Sequence, residues 1–136
     1  MILRGGCHCG ALRVELETEA PEALPLRECQ CTFCRRHGAL NTVDPNGRVR
    51  IVAERGALSR YRFALGTADF FVCVRCGVYI GCFIDNAFAT LNVRALDEAA
   101  RFTQAARPMD WSSETADERI ARRRRTWTPA SVEERP

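Results

Sequence analysis

From the N-terminus to Leu96 the apolar positions come in short runs, several of them with a period of two. In ALRVELE, residues 11 to 17, Leu12, Val14 and Leu16 fall on one face and Arg13, Glu15 and Glu17 on the other. That is the pattern of a half-buried strand. Pro21 and Pro25 then mark a loop. Residues 39 to 43 read as a strand closed by Asp44-Pro45-Asn46-Gly47, a set of turn-forming residues. RVRIV at 48–52 alternates again, and so does LSRYRF at 58–63 with Leu58 out of step. DFFVC, GVYIGCFI and AFATLNV (87–93) are rich in aromatic and β-branched residues. Many short strands between turns predict a mainly β fold.

The texture changes after Leu96. DEAARF predicts one helical turn. Thr115-Ala116-Asp117-Glu118 has the form of a capping box, after which acidic residues lead and arginines follow through Arg125. That order suits the helix dipole. Apolar positions are few, so this short C-terminal helix is expected to lie on the surface. From Pro129 a loose tail is expected. The organisation predicted is one domain over residues 1–128 and a tail over 129–136, with no internal repeat.

Composition adds constraints. The chain of 136 residues is 46% hydrophobic and 27% charged, as soluble globular proteins are. All 20 of its Lys+Arg residues are arginine, which rules out lysine Schiff-base chemistry. A net charge of +3 does not demand nucleic acid. The one dense basic run, Arg122 to Arg125, reads better as a solvated helix end than as a binding patch. MILRGGCHCG contains no apolar h-region of a signal peptide. GVYIGCFIDNAFATLNV is broken by Asp85 and Asn86 and is too short and polar to span a bilayer. The expectation is a cytoplasmic protein without a membrane partner. In a reducing compartment, clustered cysteines point to metal or catalysis rather than to disulfides.

The eight cysteines fall into four groups. Cys7 and Cys9 form C-x-C, and in extended chain their sulfurs share a face. Cys73 and Cys76 have the C-x-x-C spacing of a zinc knuckle, with Gly77 supplying the left-handed backbone such a turn often needs. Two pairs make a closed four-thiolate site that staples the N-terminus to the middle of the chain. Cys29, Cys31 and Cys34 then remain as a trio. Three thiolates around one Zn²⁺ leave a fourth position open, which marks a catalytic site. His37, three residues after Cys34, and Cys82, alone in an apolar strand, are the two residues able to close it. Cys82 also fits a small core residue. His8 is expected to face away from Cys7 and Cys9.

GGCHCGALRVEL at 5–16, the C-x-C-x-x-C followed by Arg35-Arg36, FFVCVRCG at 70–77 and Leu96-Asp97 together resemble the glutathione-dependent formaldehyde-activating enzyme family, which includes centromere protein V. The likeness runs over roughly residues 5 to 98. It implies several coiled antiparallel β-sheets. It also implies a structural zinc on Cys7, Cys9, Cys73 and Cys76 and a catalytic zinc on Cys29, Cys31 and Cys34. The activity implied is that of a carbon–sulfur lyase forming or cleaving S-(hydroxymethyl)glutathione. A small thiol and an aldehyde are then the partners. Arg35 and Arg36 lie close enough in sequence to attract glutathione carboxylates, although surface arginines fit equally well.

Two other functions fit parts of the sequence. One is a zinc-stapled binding module using Arg122 to Arg125 on nucleic acid; the dispersal of the other arginines and the lack of interleaved aromatics count against it. The other is a redox or zinc-buffering protein whose trio releases metal on oxidation.

Overall fold

The computed structural model describes residues 1–136. The first strands are β1 (Ile2–Gly6), β2 (Leu12–Glu17), β3 (Leu26–Cys29), β4 (Asn41–Thr42), β5 (Arg48–Ala53) and β6 (Leu58–Tyr61). They are followed by β7 (Asp69–Cys73), β8 (Tyr79–Ile84), β9 (Phe88–Asn92), β10 (Ala106–Met109) and β11 (Thr128–Glu134). Two helices interrupt them, α1 (Thr32–His37) and α2 (Ala116–Thr126).

Period-two alternation accounts for one half of the molecule. β1, β2 and β5 are antiparallel neighbours, and Leu3, Leu12, Val14, Leu16, Val49 and Ile51 turn inward. On the solvent face Glu15 stands across from Arg4 on one side and Arg50 on the other, opposite charges at cross-strand positions. The other half is the antiparallel run β6–β7–β8–β9. It continues from the far edge of β9 through β4 and β3 to β10. Phe71, Ile80, Phe83, Ala89 and Leu91 from this half join the same core. Phe71 and Phe83 stack with ring centroids 4.1 Å apart.

β11 links the halves. It starts against β9, with Thr128 opposite Ala89, and runs on beside β5 from Ala130–Val49 to Glu134–Ala53. This corrects the expectation of a loose tail over 129–136. Ala130 and Val132 pack on the core, and β5 supplies the hydrogen-bonding edge. The strands also form one sheet with ordered connections rather than several purely antiparallel ones. β11 with β5 and β10 with β3 are parallel pairs. Parallel neighbours need long return connections, and here β3 and β10 lie far apart along the chain.

The mainly β fold with a short C-terminal helix is as predicted. DEAARF forms a 3-10 turn at Ala99–Arg101. At the start of α2, Glu118 N donates to Thr115 Oγ1 (3.2 Å) and Thr115 N donates to Glu118 Oε1 (3.0 Å). This is the capping box read from the sequence. α2 is not simply a surface helix, however. Its Arg123 is buried, and its inner face walls a cavity. No helix is long and apolar enough to cross a membrane.

Candidate metal centre and its pocket

Two turns bring four sulfurs together. After β1 the chain folds back at once: Cys7 N donates to Leu12 O at 2.9 Å, and Gly10 N to Cys7 O at 3.2 Å. The Cys7 and Cys9 sulfurs sit 3.7 Å apart because of this turn, not because they share a face of extended chain. At the end of β7, Gly77 N donates to Cys73 O at 2.8 Å and Gly77 takes φ 81°, the left-handed conformation expected of it. The Cys9 and Cys73 sulfurs are 3.6 Å apart. All four sulfurs of Cys7, Cys9, Cys73 and Cys76 lie within 4.8 Å of one another.

The trio is built differently. Cys29 ends β3, Cys31 caps the N-terminus of α1, and Cys34 lies within that helix. Capping aims Cys31 Sγ at Cys34 N, 3.3 Å away. One helical turn then returns Cys34 toward the other two, and the three sulfurs lie within 4.8 Å of one another. Gly38, at φ 60°, ends α1. The sulfurs compete for charge. Hydrogen bonds from Cys29 and Cys34 hold the Cys31 thiol well below its ordinary value, while Cys29, Cys31 and burial push Cys34 well above it. Three thiolates this close repel one another, and a cation among them would offset that repulsion.

All eight cysteines are free thiols. Clustered soft sulfur donors match zinc, so both groups fit it and could bind it. Neither candidate for closing the trio joins it. His37 is exposed and packs at a tilt against Phe33 with centroids 4.4 Å apart. Cys82 is buried in β8 outside both groups, its thiol pushed up to about 12 by burial. His8 is exposed and belongs to neither group. Arg35 and Arg36 are exposed and line no part of the cavities beside the trio.

Cys29 and Cys31 open onto a pocket of about 590 Å³, a size typical of small-molecule sites. Phe63, Leu65 and Phe70 form one wall, and Trp111, Arg119 and Arg123 the other. A smaller cavity of about 60 Å³ lies beside Cys29 and Cys34 and is lined also by Tyr79 and Cys82. Tyr79 is 2% exposed and its hydroxyl has no hydrogen-bond partner. Burial raises its pKa well above the ordinary value, so it keeps its proton.

The wall formed by α2 is stapled in place. Arg122 donates from Nε and Nη2 to Glu114, at 2.8 and 2.9 Å, and its guanidinium lies 3.7 Å over the Trp111 ring. Arg119 Nη2 donates to Trp111 O at 2.7 Å. The basic run is thus divided: Arg122 and Arg123 turn inward, while Arg124 and Arg125 are exposed. The sequence did not single out Tyr79, Trp111 or Arg119, and Arg123 was read only as part of a solvated run. The one available signal was Arg119, Arg122 and Arg123 at i, i+3 and i+4, a spacing that shares a helix face.

A sequence model of the glutathione-dependent formaldehyde-activating enzyme family matches residues 2–111. The chain belongs to that family. Both cysteine groups lie inside the matched span, whereas α2 and β11 lie beyond it. Among solved structures, a crystal structure of a Rhodobacter sphaeroides protein is similar. The two are 29% identical with a TM-score of 0.56, over 77% of this chain and 99% of the other.

Proposed function

We propose that the protein is a carbon–sulfur lyase acting on small thiol–aldehyde adducts, of which S-(hydroxymethyl)glutathione is the kind that family membership suggests. One observation carries the reading. Three clustered sulfurs with no fourth ligand border an open pocket. Cys7, Cys9, Cys73 and Cys76 would hold a structural zinc, and Cys29, Cys31 and Cys34 a catalytic one. Zinc bound at the trio would supply Lewis acidity that lowers the pKa of an arriving substrate thiol.

The reaction needs no oxidant or reductant. In the forward direction a bond forms between the thiol sulfur and the aldehyde carbon. The carbonyl π pair moves to oxygen, and the proton lost by the thiol ends there; cleavage reverses each change. Phe63 and Phe70 give the pocket beside the trio an apolar wall. Tyr79, protonated and without a partner, lines the small cavity beside Cys29 and Cys34, and its hydroxyl would be the donor to an aldehyde oxygen that enters there.

The test is adduct formation from glutathione and formaldehyde by zinc-loaded protein, followed by NMR of the hydroxymethyl product. Acceleration over the uncatalysed reaction is expected. Cys31→Ser suits the control because serine is a preferred helix cap, so α1 should persist. The acceleration should disappear in that variant; full activity without the Cys31 sulfur overturns the reading.

A further inference from the structure

Arg123 lines both cavities beside the trio and is 8% exposed. A buried arginine normally has a carboxylate partner. This one has none. Its guanidinium lies 4.7 Å over the Trp127 ring, and its one hydrogen bond runs from Nη1 to Thr67 Oγ1 at 2.8 Å. Nε is buried with no partner. The acidic group that could have served is taken: Glu114 accepts both hydrogen bonds of Arg122 and lies 3.6 Å from Arg119 Nε. Asp110 stands exposed at the rim, where its Oδ1 accepts from Ser112 N.

The pattern of occupied donors matters. Thr67 holds Nη1 and leaves the Nε–Nη2 edge free of protein partners. That edge presents two parallel N–H groups, the arrangement that meets both oxygens of a carboxylate. Arg122 uses the same edge on Glu114 one residue earlier.

We propose that Arg123 is the residue by which the pocket selects carboxylate-bearing thiols, its Nε–Nη2 edge binding the carboxylate while the thiol sulfur lies at the cysteine trio. The proposal rests on the trio being the thiol site. It places anion recognition on α2, beyond the family-matched span, rather than on Arg35 and Arg36. Substrates of this class are thiol acids and thiol peptides; neutral thiols of the same length are disfavoured.

The test compares 3-mercaptopropionate with 3-mercaptopropanol on the zinc-loaded full chain, using calorimetric binding and the rate of adduct formation with formaldehyde. Wild type should bind the acid about tenfold more tightly or better, as expected for a charge-assisted pair. Arg123→Met should reduce that preference to within about twofold, with zinc content unchanged and neutral-thiol binding retained. Arg123→Lys, which keeps the charge and loses the fork, should fall between. Equal binding of both thiols by wild type overturns the proposal and leaves the trio reading standing. So does an Arg123→Met variant that loses zinc, or that weakens both thiols alike. Either result would make Arg123 a counter-charge to the three thiolates. If wild type binds neither thiol, the trio reading itself fails and takes this proposal with it.

Discussion

Cys7, Cys9, Cys73 and Cys76 come from two turns that the sheet brings together, whereas Cys29, Cys31 and Cys34 come from one strand end and the helix that follows it. The first group joins positions 64 residues apart at the Cys9–Cys73 contact. A metal ion there would close a long loop, and much of its binding free energy would count as folding free energy. The trio spans a single local segment, so an ion there closes almost nothing. The two groups also differ in what borders them. Each pair of the four-sulfur group is held by its own turn. The trio faces a cavity whose walls come from distant parts of the chain. A thiol cluster that does little for the fold and faces a cavity is the one available for chemistry.

The sharpest way to break this contrast is to remove one sulfur from each group. Cys73→Ser should abolish cooperative folding at room temperature, since structural zinc in small domains contributes on the order of 10 kcal/mol. Cys29→Ser should keep the native circular dichroism spectrum and lose no more than a few degrees of Tm. Equal damage from the two variants would end the distinction. Metal removal probes it without mutation. Titration with a chelator should take one zinc first, with loss of activity and an unchanged near-ultraviolet spectrum. The second should leave only as the protein unfolds. Simultaneous loss of both ions would show that the groups are energetically equivalent.

The sequence revealed the two regions unequally, and for physical reasons. Metal-ligand spacing is local, so both cysteine groups could be named from it. β2 and β5 announced themselves because Leu12, Val14, Leu16, Val49 and Ile51 alternate with charged residues. β11 did not, because only two of its apolar side chains, Ala130 and Val132, pack on the core, and its pairing with β5 is settled by long-range contact. α1 is too short for a helical period to appear in the residues around Cys34. The pocket was invisible for a related reason. Phe63, Phe70, Trp111 and Arg123 are remote in sequence and meet only in the folded chain. The reading of Arg122 to Arg125 as a solvated run failed for its first two members. Four adjacent arginines on a helix must point to different sides.

Tyr79→Phe refines the contrast within the trio's surroundings. The hydroxyl has no partner to lose, so its removal should leave Tm unchanged or slightly raised. The same change should lower kcat for adduct formation by roughly 10²-fold, the effect of losing one preorganised donor at a developing oxyanion. KM for the thiol should barely move, because the hydroxyl is assigned to the aldehyde oxygen. A drop in Tm with kcat intact would make Tyr79 a packing residue only.

Glu114→Gln asks how firmly the wall beside the trio is held, and its effect should be the smallest. Arg122 holds the Glu114 carboxyl below the ordinary carboxylate range, first through their hydrogen bonds. A carboxylate with a depressed folded-state pKa stabilises the fold above its unfolded value, and that stability is lost as pH falls through the depressed value. Below about pH 4.5, its ordinary value, the staple between Trp111 and α2 should therefore weaken. A shift in tryptophan emission should report it, since Arg122 lies over the Trp111 ring. In Glu114→Gln that shift should already be present at pH 7, with no further acid step from this site. The cost should stay at about 1 kcal/mol, as for a partly exposed ion pair. Zinc at the four-sulfur group should be unaffected at pH 7, because no part of the staple touches it. If Glu114→Gln instead released that zinc at pH 7, the two regions would be coupled, and the separation of folding metal from pocket metal would have to be given up.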